Sequence, residues 1–158
     1  MTAGEETASL KDCTMASDRH PPPPRDIEPP ESGRPMPCVL VIDDDPTHRV
    51  VICRLAEKLG YATIEASTVA EAAELIKSRH FDCMTLDLHM GANNGTELLE
   101  IMNNRQANVP VIVVSSADDS ERWEVLRVAT LYGIRVTEVP KPIKIGMLRE
   151  VFLELKDV

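Results

Sequence analysis

Residues Cys38-Val39-Leu40-Val41-Ile42 are apolar at five consecutive positions, and Val111-Ile112-Val113-Val114 at four. A strand with one face in water alternates apolar and polar side chains. These runs do not alternate, so each must be covered on both faces. That condition is met by a parallel sheet with helices on either side, and it limits the chain to an α/β architecture.

Taken in order, the pattern repeats five times from residue 38 onward. Cys38–Ile42 forms a first strand, ended by Asp43-Asp44-Asp45. Asp45-Pro46 reads as an N-cap followed by proline at the first helical position, opening a helix to about Leu59, with Gly60 as its stop. Ile52, Leu55, Ala56 and Leu59 share one face of it. Tyr61–Glu65 is a second strand. Thr68 and Glu71 form a capping box for a second helix running to about Arg79. Phe81–Leu86 is a third strand, closed by Asp87 and then by Gly91, Asn93, Asn94 and Gly95. A third helix spans Gly95–Asn104, with Leu98, Leu99 and Met102 as its apolar side. The Val111–Val114 strand ends at Ser115-Ser116. Ser120 is predicted to cap a fourth helix that Gly133 closes. Ile134–Val139 is a fifth strand, ending at Pro140-Lys141-Pro142, and a fifth helix covers roughly Lys144–Leu155. Five strands alternating with five helices predict a doubly wound, flavodoxin-like parallel sheet in the order 2-1-3-4-5, with right-handed crossovers.

Residues 1–37 differ in kind. They hold eight of the twelve prolines, including Pro21–Pro24, and have almost no apolar periodicity. Such a segment buries too little to offset its ordering entropy, so a disordered Pro-rich tail is expected there and a single folded domain over 38–158. Pro21–Pro24 should be extended polyproline, read as part of a solvated leader rather than a docking peptide.

In this architecture the C-terminal ends of strands 1, 3, 4 and 5 converge. They carry Asp43 and Asp44, Asp87, Ser115 and Lys141. Gathered carboxylates repel one another, and a hard divalent cation with oxygen ligands, Mg2+ being the natural candidate, relieves the repulsion. Lys141 adds a fixed positive charge and Ser115 a hydroxyl donor. These are the parts required to transfer a phosphoryl group to a carboxylate, a reaction that asks the protein for positioning and charge neutralisation. Singly, each has a plain structural reading: a solvated acid run or helix cap, a strand-end hydroxyl, a surface lysine.

Residues 38–157 resemble a receiver domain of two-component response regulators, the CheY-like family. The resemblance rests on the VLVIDDDP run, the D-x-x-M-x-x-x-x-G frame of Asp87, Met90 and Gly95, the VPVIVVSS strand and the Lys141-Pro142 pair. It implies that Asp87 is the phosphoacceptor, supplied by a histidine kinase or phosphotransfer protein. It implies Mg2+ held by Asp44, Asp87 and the main-chain carbonyl of His89, with Asp43 acting largely through water. Ser115 then takes the switch position, and Lys141 pairs first with Asp87 and then with the phosphate. Output is expected as protein–protein binding through the face of helix 4 and strand 5, and a homodimer through helix 4 is compatible with it. The resemblance further implies no enzymatic activity beyond the chain's own phosphorylation and dephosphorylation.

Three positions depart from the family pattern. Gly91 stands where the family usually has proline, which predicts a more mobile loop. His89 stands beside the expected phosphate, where it either alters phosphate lifetime or, as favoured here, points to solvent. Glu138 replaces the usual aromatic on strand 5, so output coupling must use other groups. Tyr132 and Trp123 are candidates, although core packing explains both equally well.

Net charge is −9, with 26 acidic and 17 basic side chains, which argues against nucleic acid and anionic membrane surfaces as partners. No apolar stretch is long enough to span a bilayer, and the N-terminus has no secretion signal. Cys13, Cys38, Cys53 and Cys83 are widely spaced with no C-x-x-C, as expected of reduced thiols in a cytoplasmic protein. The chain ends at Val158 without an output domain, so a stand-alone receiver is expected.

Two rival readings remain at this point. Asp43-x-Asp45-x-Thr47 after an apolar strand also matches the haloacid-dehalogenase phosphatase signature, with Asp43 as nucleophile. That reading leaves Asp87 without a role, and Asp118-Asp119 precede Lys141 instead of following it. The other is a phosphorylation-independent adaptor that uses the receiver fold only as a surface, motivated by Gly91 and Glu138.

Overall fold

The computed structural model describes residues 35–90, 94–105, 107–116 and 118–157. The tail reading therefore lies outside the described residues up to position 34, as does the loop expectation at Gly91. At the boundary, Pro37 is already tied in, since its carbonyl accepts the Ala62 N–H at 2.8 Å.

Ten elements alternate along the chain: β1 Cys38–Ile42, α1 Pro46–Lys58, β2 Ala62–Ala66, α2 Val69–Ser78, β3 Cys83–Leu86, α3 Asn94–Asn104, β4 Val111–Ser115, α4 Asp119–Tyr132, β5 Val136–Pro140 and α5 Ile145–Lys156. The strands form one parallel sheet in the order β2-β1-β3-β4-β5. Successive side chains leave a strand on opposite faces. Leu40, Ile42, Met84, Leu86, Val111 and Val113 accordingly pack with α2, α3 and α4 on one side. Val39, Val41, Cys83, Ile112, Val114 and Val139 pack with α1 and α5 on the other. Both faces are buried along the inner strands β1, β3 and β4, which is why the runs in β1 and β4 do not alternate, while the edge strands β2 and β5 are partly exposed.

Local signals work largely as the residues suggest. Asp45 caps α1 by accepting the Thr47 N–H at 2.7 Å, with Pro46 at the start of the helix. Gly60 follows that helix at φ 82°, and Gly133 closes α4 at φ 67°. Thr68 accepts the Glu71 N–H at 3.1 Å, while the Glu71 carboxylate reaches back to the Ser67 N–H at 2.9 Å.

The differences have identifiable causes. Asp118, not Ser120, caps α4: its Oδ1 accepts the N–H groups of both Ser120 and Glu121. Ser120 donates its hydroxyl to the same oxygen at 2.7 Å. The Asp118 carboxylate satisfies two orphan helix donors from the position just before the helix, and its charge suits the helix N-terminus. Hydrogen bonding by Ser120 accordingly holds the Asp118 carboxyl below its ordinary range. Strand β2 starts one residue later than expected because Tyr61 closes α1 instead, donating its N–H to Ala56 O. The Tyr61 ring packs on Phe152 at 5.3 Å and its hydroxyl donates to the Phe152 carbonyl at 2.8 Å. Likewise Ile134 spends its N–H on Ala129 O, completing the end of α4, so β5 begins at Val136. Trp123 is 68% exposed, which removes core packing as its explanation, whereas Tyr132 is partly buried on the side of the sheet that packs with α2, α3 and α4.

Candidate functional site

Strand register assembles the site. Ile42 is paired with Leu86, so the next residues, Asp43 and Asp87, leave the sheet side by side. The ladder continues one step past the strand ends: Asp43 N–H donates to Ala66 O at 3.2 Å and Asp87 N–H to Ile42 O at 2.9 Å. On the other flank Ser115 is paired with Pro140, and Lys141 N–H donates to Ser115 O at 3.3 Å. Parallel strands present all their C-terminal ends on one edge, where side chains meet ahead of the sheet.

Asp43 and Asp87 are buried, at 1% and 3% exposure, and Lys141 Nζ lies between them, 3.0 Å from Asp43 Oδ2 and 2.8 Å from Asp87 Oδ2. The second Asp43 oxygen accepts the Asp45 N–H at 2.8 Å, and the second Asp87 oxygen accepts the His89 N–H at 3.0 Å. Burial disfavours the charged form of Lys141. Hydrogen bonds and charge from Asp87 and Asp43 outweigh it, so the ammonium is held above its ordinary pKa. Asp44 is exposed, and its carboxylate together with those of Asp43 and Asp87 brings three ligand oxygens within 4.8 Å of one another. An all-oxygen, anionic donor set of this spacing suits a hard divalent cation.

The sequence-selected residues thus fall at one edge: Asp43, Asp44, Asp87 and Lys141 in direct proximity, with Ser115 at the neighbouring strand end. The His89 side chain is exposed while its backbone faces Asp87. Ser115 borders a cavity of about 260 Å³ lined also by Val113, Arg122, Glu138, Val139 and Pro140. Glu138, the departure on strand 5, pairs across it with Arg122 of α4 at 3.2 Å.

Two neighbours escaped the sequence reading. His48 has its Nδ1 shielded from solvent, without a hydrogen bond, 3.4 Å from Asp43 Oδ2. Arg49 donates from Nη1 to the carbonyls of Asp43 at 2.8 Å and Asp44 at 3.3 Å, and from Nε to Glu65 at 3.0 Å. The available signal was position: both lie in the first turn of a helix that starts directly after the acid run.

Comparison with known proteins agrees with this geometry. The family model described as response regulator receiver domain matches residues 39–152. Among curated relatives, the sensory/regulatory protein RpfC of Xanthomonas campestris pv. campestris is 29% identical over 121 residues, covering 74% of this chain but 16% of the relative. The regulator of RpoS of Escherichia coli is 31% identical over 81 residues, covering 51% of this chain and 24% of that protein. This chain therefore spans a quarter or less of the length of these relatives. Among solved structures, the receiver domain of the Francisella response regulator 1452 superposes with a TM-score of 0.65 at 30% identity, covering 77% of this chain and 97% of that one. A response regulator receiver protein of Pseudomonas putida gives 0.63 at 25% identity, covering 78% and 98%. With the strand order, the acid-bearing edge and the family match in agreement, this chain belongs to the response regulator receiver domain family.

Proposed function

We propose that this protein is a two-component phosphorelay receiver that accepts a phosphoryl group on Asp87 from a phospho-histidine donor. The observation that carries the reading is the sharing of one lysine by two buried carboxylates, Asp43 and Asp87, beside a third. Such a pocket holds more negative charge than its one lysine balances, with two of its three carboxylates buried, which is costly unless a further cation enters. Asp44, Asp87 and the His89 carbonyl would hold Mg2+, with Asp43 contributing largely through water. Bound there, Mg2+ would screen the charge on the incoming phosphoryl oxygens.

The chain's own groups do the rest. An Asp87 carboxylate oxygen attacks phosphorus as the donor's N–P bond breaks. Lys141, already 2.8 Å from Asp87, follows the new negative charge onto the phosphoryl group. Phosphorylation adds roughly −1.5 to −2 charges with new acceptor oxygens. The Ser115 hydroxyl is drawn toward them, and the cavity beside it leaves room for β5 and α4 to rearrange. A downstream protein reads that face. The histidine-kinase or phosphotransfer donor is supported by relatives named sensor proteins, among them EvgS of Escherichia coli. Among the described residues no helix is long and apolar enough to cross a membrane.

The test is labelling with acetyl phosphate, or binding of beryllofluoride, in the presence of Mg2+. Wild type should be labelled and Asp87→Asn should not. Labelling that survives in Asp87→Asn and disappears in Asp43→Asn would instead favour the phosphatase reading. One observation favours an adaptor: Glu138, which stands where the family usually has an aromatic, is tied to Arg122 by an ion pair. If beryllofluoride leaves partner affinity unchanged, the adaptor stands and the switch falls.

A further inference from the structure

Asp43-Asp44-Asp45 is three acids in a row at the mouth of the sheet, and their charges push the loop apart. Arg49 ties the backbone of that loop at three points. The Arg49 backbone N–H donates to Asp45 O at 3.1 Å, while its Nη1 donates to Asp43 O at 2.8 Å and Asp44 O at 3.3 Å. Three consecutive carbonyls are thereby satisfied from a single position. The guanidinium is in turn anchored by Glu65 in β2, at 3.0 Å from Nε, and its side chain is only 16% exposed. With the carbonyls turned to Arg49, the carboxylates of Asp43 and Asp44 are left facing Asp87.

We propose that Arg49 is a positioning residue for the acid pocket: by clamping the carbonyls of Asp43 and Asp44 to Glu65 it sets the carboxylate geometry that receives the divalent cation. The inference deepens the function proposed above and rests on its Mg2+ reading. The planar guanidinium has donors in a fixed fork and reaches two carbonyls and a carboxylate at once. An ammonium is a point donor and does not reproduce that bridge. Residues that orient metal ligands characteristically change affinity without touching the metal.

The experiment is titration of the metal-free full chain with Mg2+ by calorimetry, for wild type, Arg49→Ala, Arg49→Lys and Glu65→Gln. The expected result is a loss of roughly tenfold or more in Mg2+ affinity for Arg49→Ala, partial recovery in Arg49→Lys, and a smaller loss in Glu65→Gln. A second reading needs no metal: amide hydrogen exchange at Asp45, whose N–H is held by Asp43 Oδ1, should quicken in Arg49→Ala while the Val113 amide in the sheet keeps its protection. A folded Arg49→Ala with wild-type Mg2+ affinity overturns the inference alone. If Arg49→Ala fails to fold, Glu65→Gln decides: reduced affinity supports the clamp and unchanged affinity overturns it. A wild-type chain that takes up no Mg2+ overturns the functional reading itself.

Discussion

Lys141 holds its ammonium 2.8 Å from the Asp87 carboxylate across 54 positions of sequence, and both side chains are almost wholly withdrawn from water. The same nitrogen serves Asp43, so one cation offsets two buried anions. Replacing it with Met should therefore do more than remove a contact, because it leaves two desolvated carboxylates facing each other. The expected cost is about 3–5 kcal/mol, read as a lower urea midpoint in EDTA. Mg2+ should recover part of it. A Lys141→Met variant as stable as wild type without metal would show that the two carboxylates do not depend on the ammonium.

Asp87→Asn should act in the opposite direction. It removes one negative charge from a cluster with more carboxylates than cations, while Lys141 keeps Asp43. Stability without metal should be unchanged or higher. Wild type should gain stability with added MgCl2, by about 2.7 kcal/mol when the ion is at a hundred times its dissociation constant, and Asp87→Asn should lose most of that gain. Melting temperatures across an Mg2+ series check both halves.

Gly95 sits where the loop after β3 enters α3, and a Cβ there would lie 2.9 Å from Val125 Cγ2 and 3.0 Å from Leu88 Cδ2. Valine is stiff at χ1, so Gly95→Ala overpacks this corner despite alanine's better helix propensity. A net loss of about 1 kcal/mol is expected, measured by urea denaturation. This contact gives a packing reason for the glycine in the Asp87–Met90–Gly95 frame.

Alkaline pH should unfold the protein through its buried thiols. Burial pushes Cys53 up to about 11 and Cys83 up to about 12, from 9.0 for a free thiol. The folded state thus keeps its thiol protons where the unfolded state has lost them. Stability is fully present below pH 9 and falls as pH rises toward those folded values. Lys141, also raised, contributes with the same sign above its ordinary pKa of 10.5. Urea midpoints should hold steady to about pH 9 and then decline, and the decline should be shallower in a Cys53→Ala/Cys83→Ala variant.

Much of the fold was legible because its signals are local. Asp45-Pro46, Thr68 with Glu71, Gly60 and Gly133 mark helix ends through contacts within a few residues. The misplacements arose where two neighbouring residues competed for one local role, as Asp118 and Ser120 did, or where a residue's N–H was claimed by the preceding helix, as in Tyr61 and Ile134.

Uninterrupted apolar runs, each ended by a polar group, were enough to specify a parallel sheet with chemistry at one edge, since burial on two faces leaves no room for alternation. The ends of the five strands read from the sequence also picked out Asp43, Asp44, Asp87, Ser115 and Lys141. Three-dimensional packing settled what those residues do to one another: Asp43 and Asp87 sink while Asp44 stays exposed, Lys141 is shared, Glu138 finds Arg122, and Arg49 takes the loop carbonyls. Such pairings depend on register and helix placement across the whole sheet, and no window of neighbouring residues carries that information.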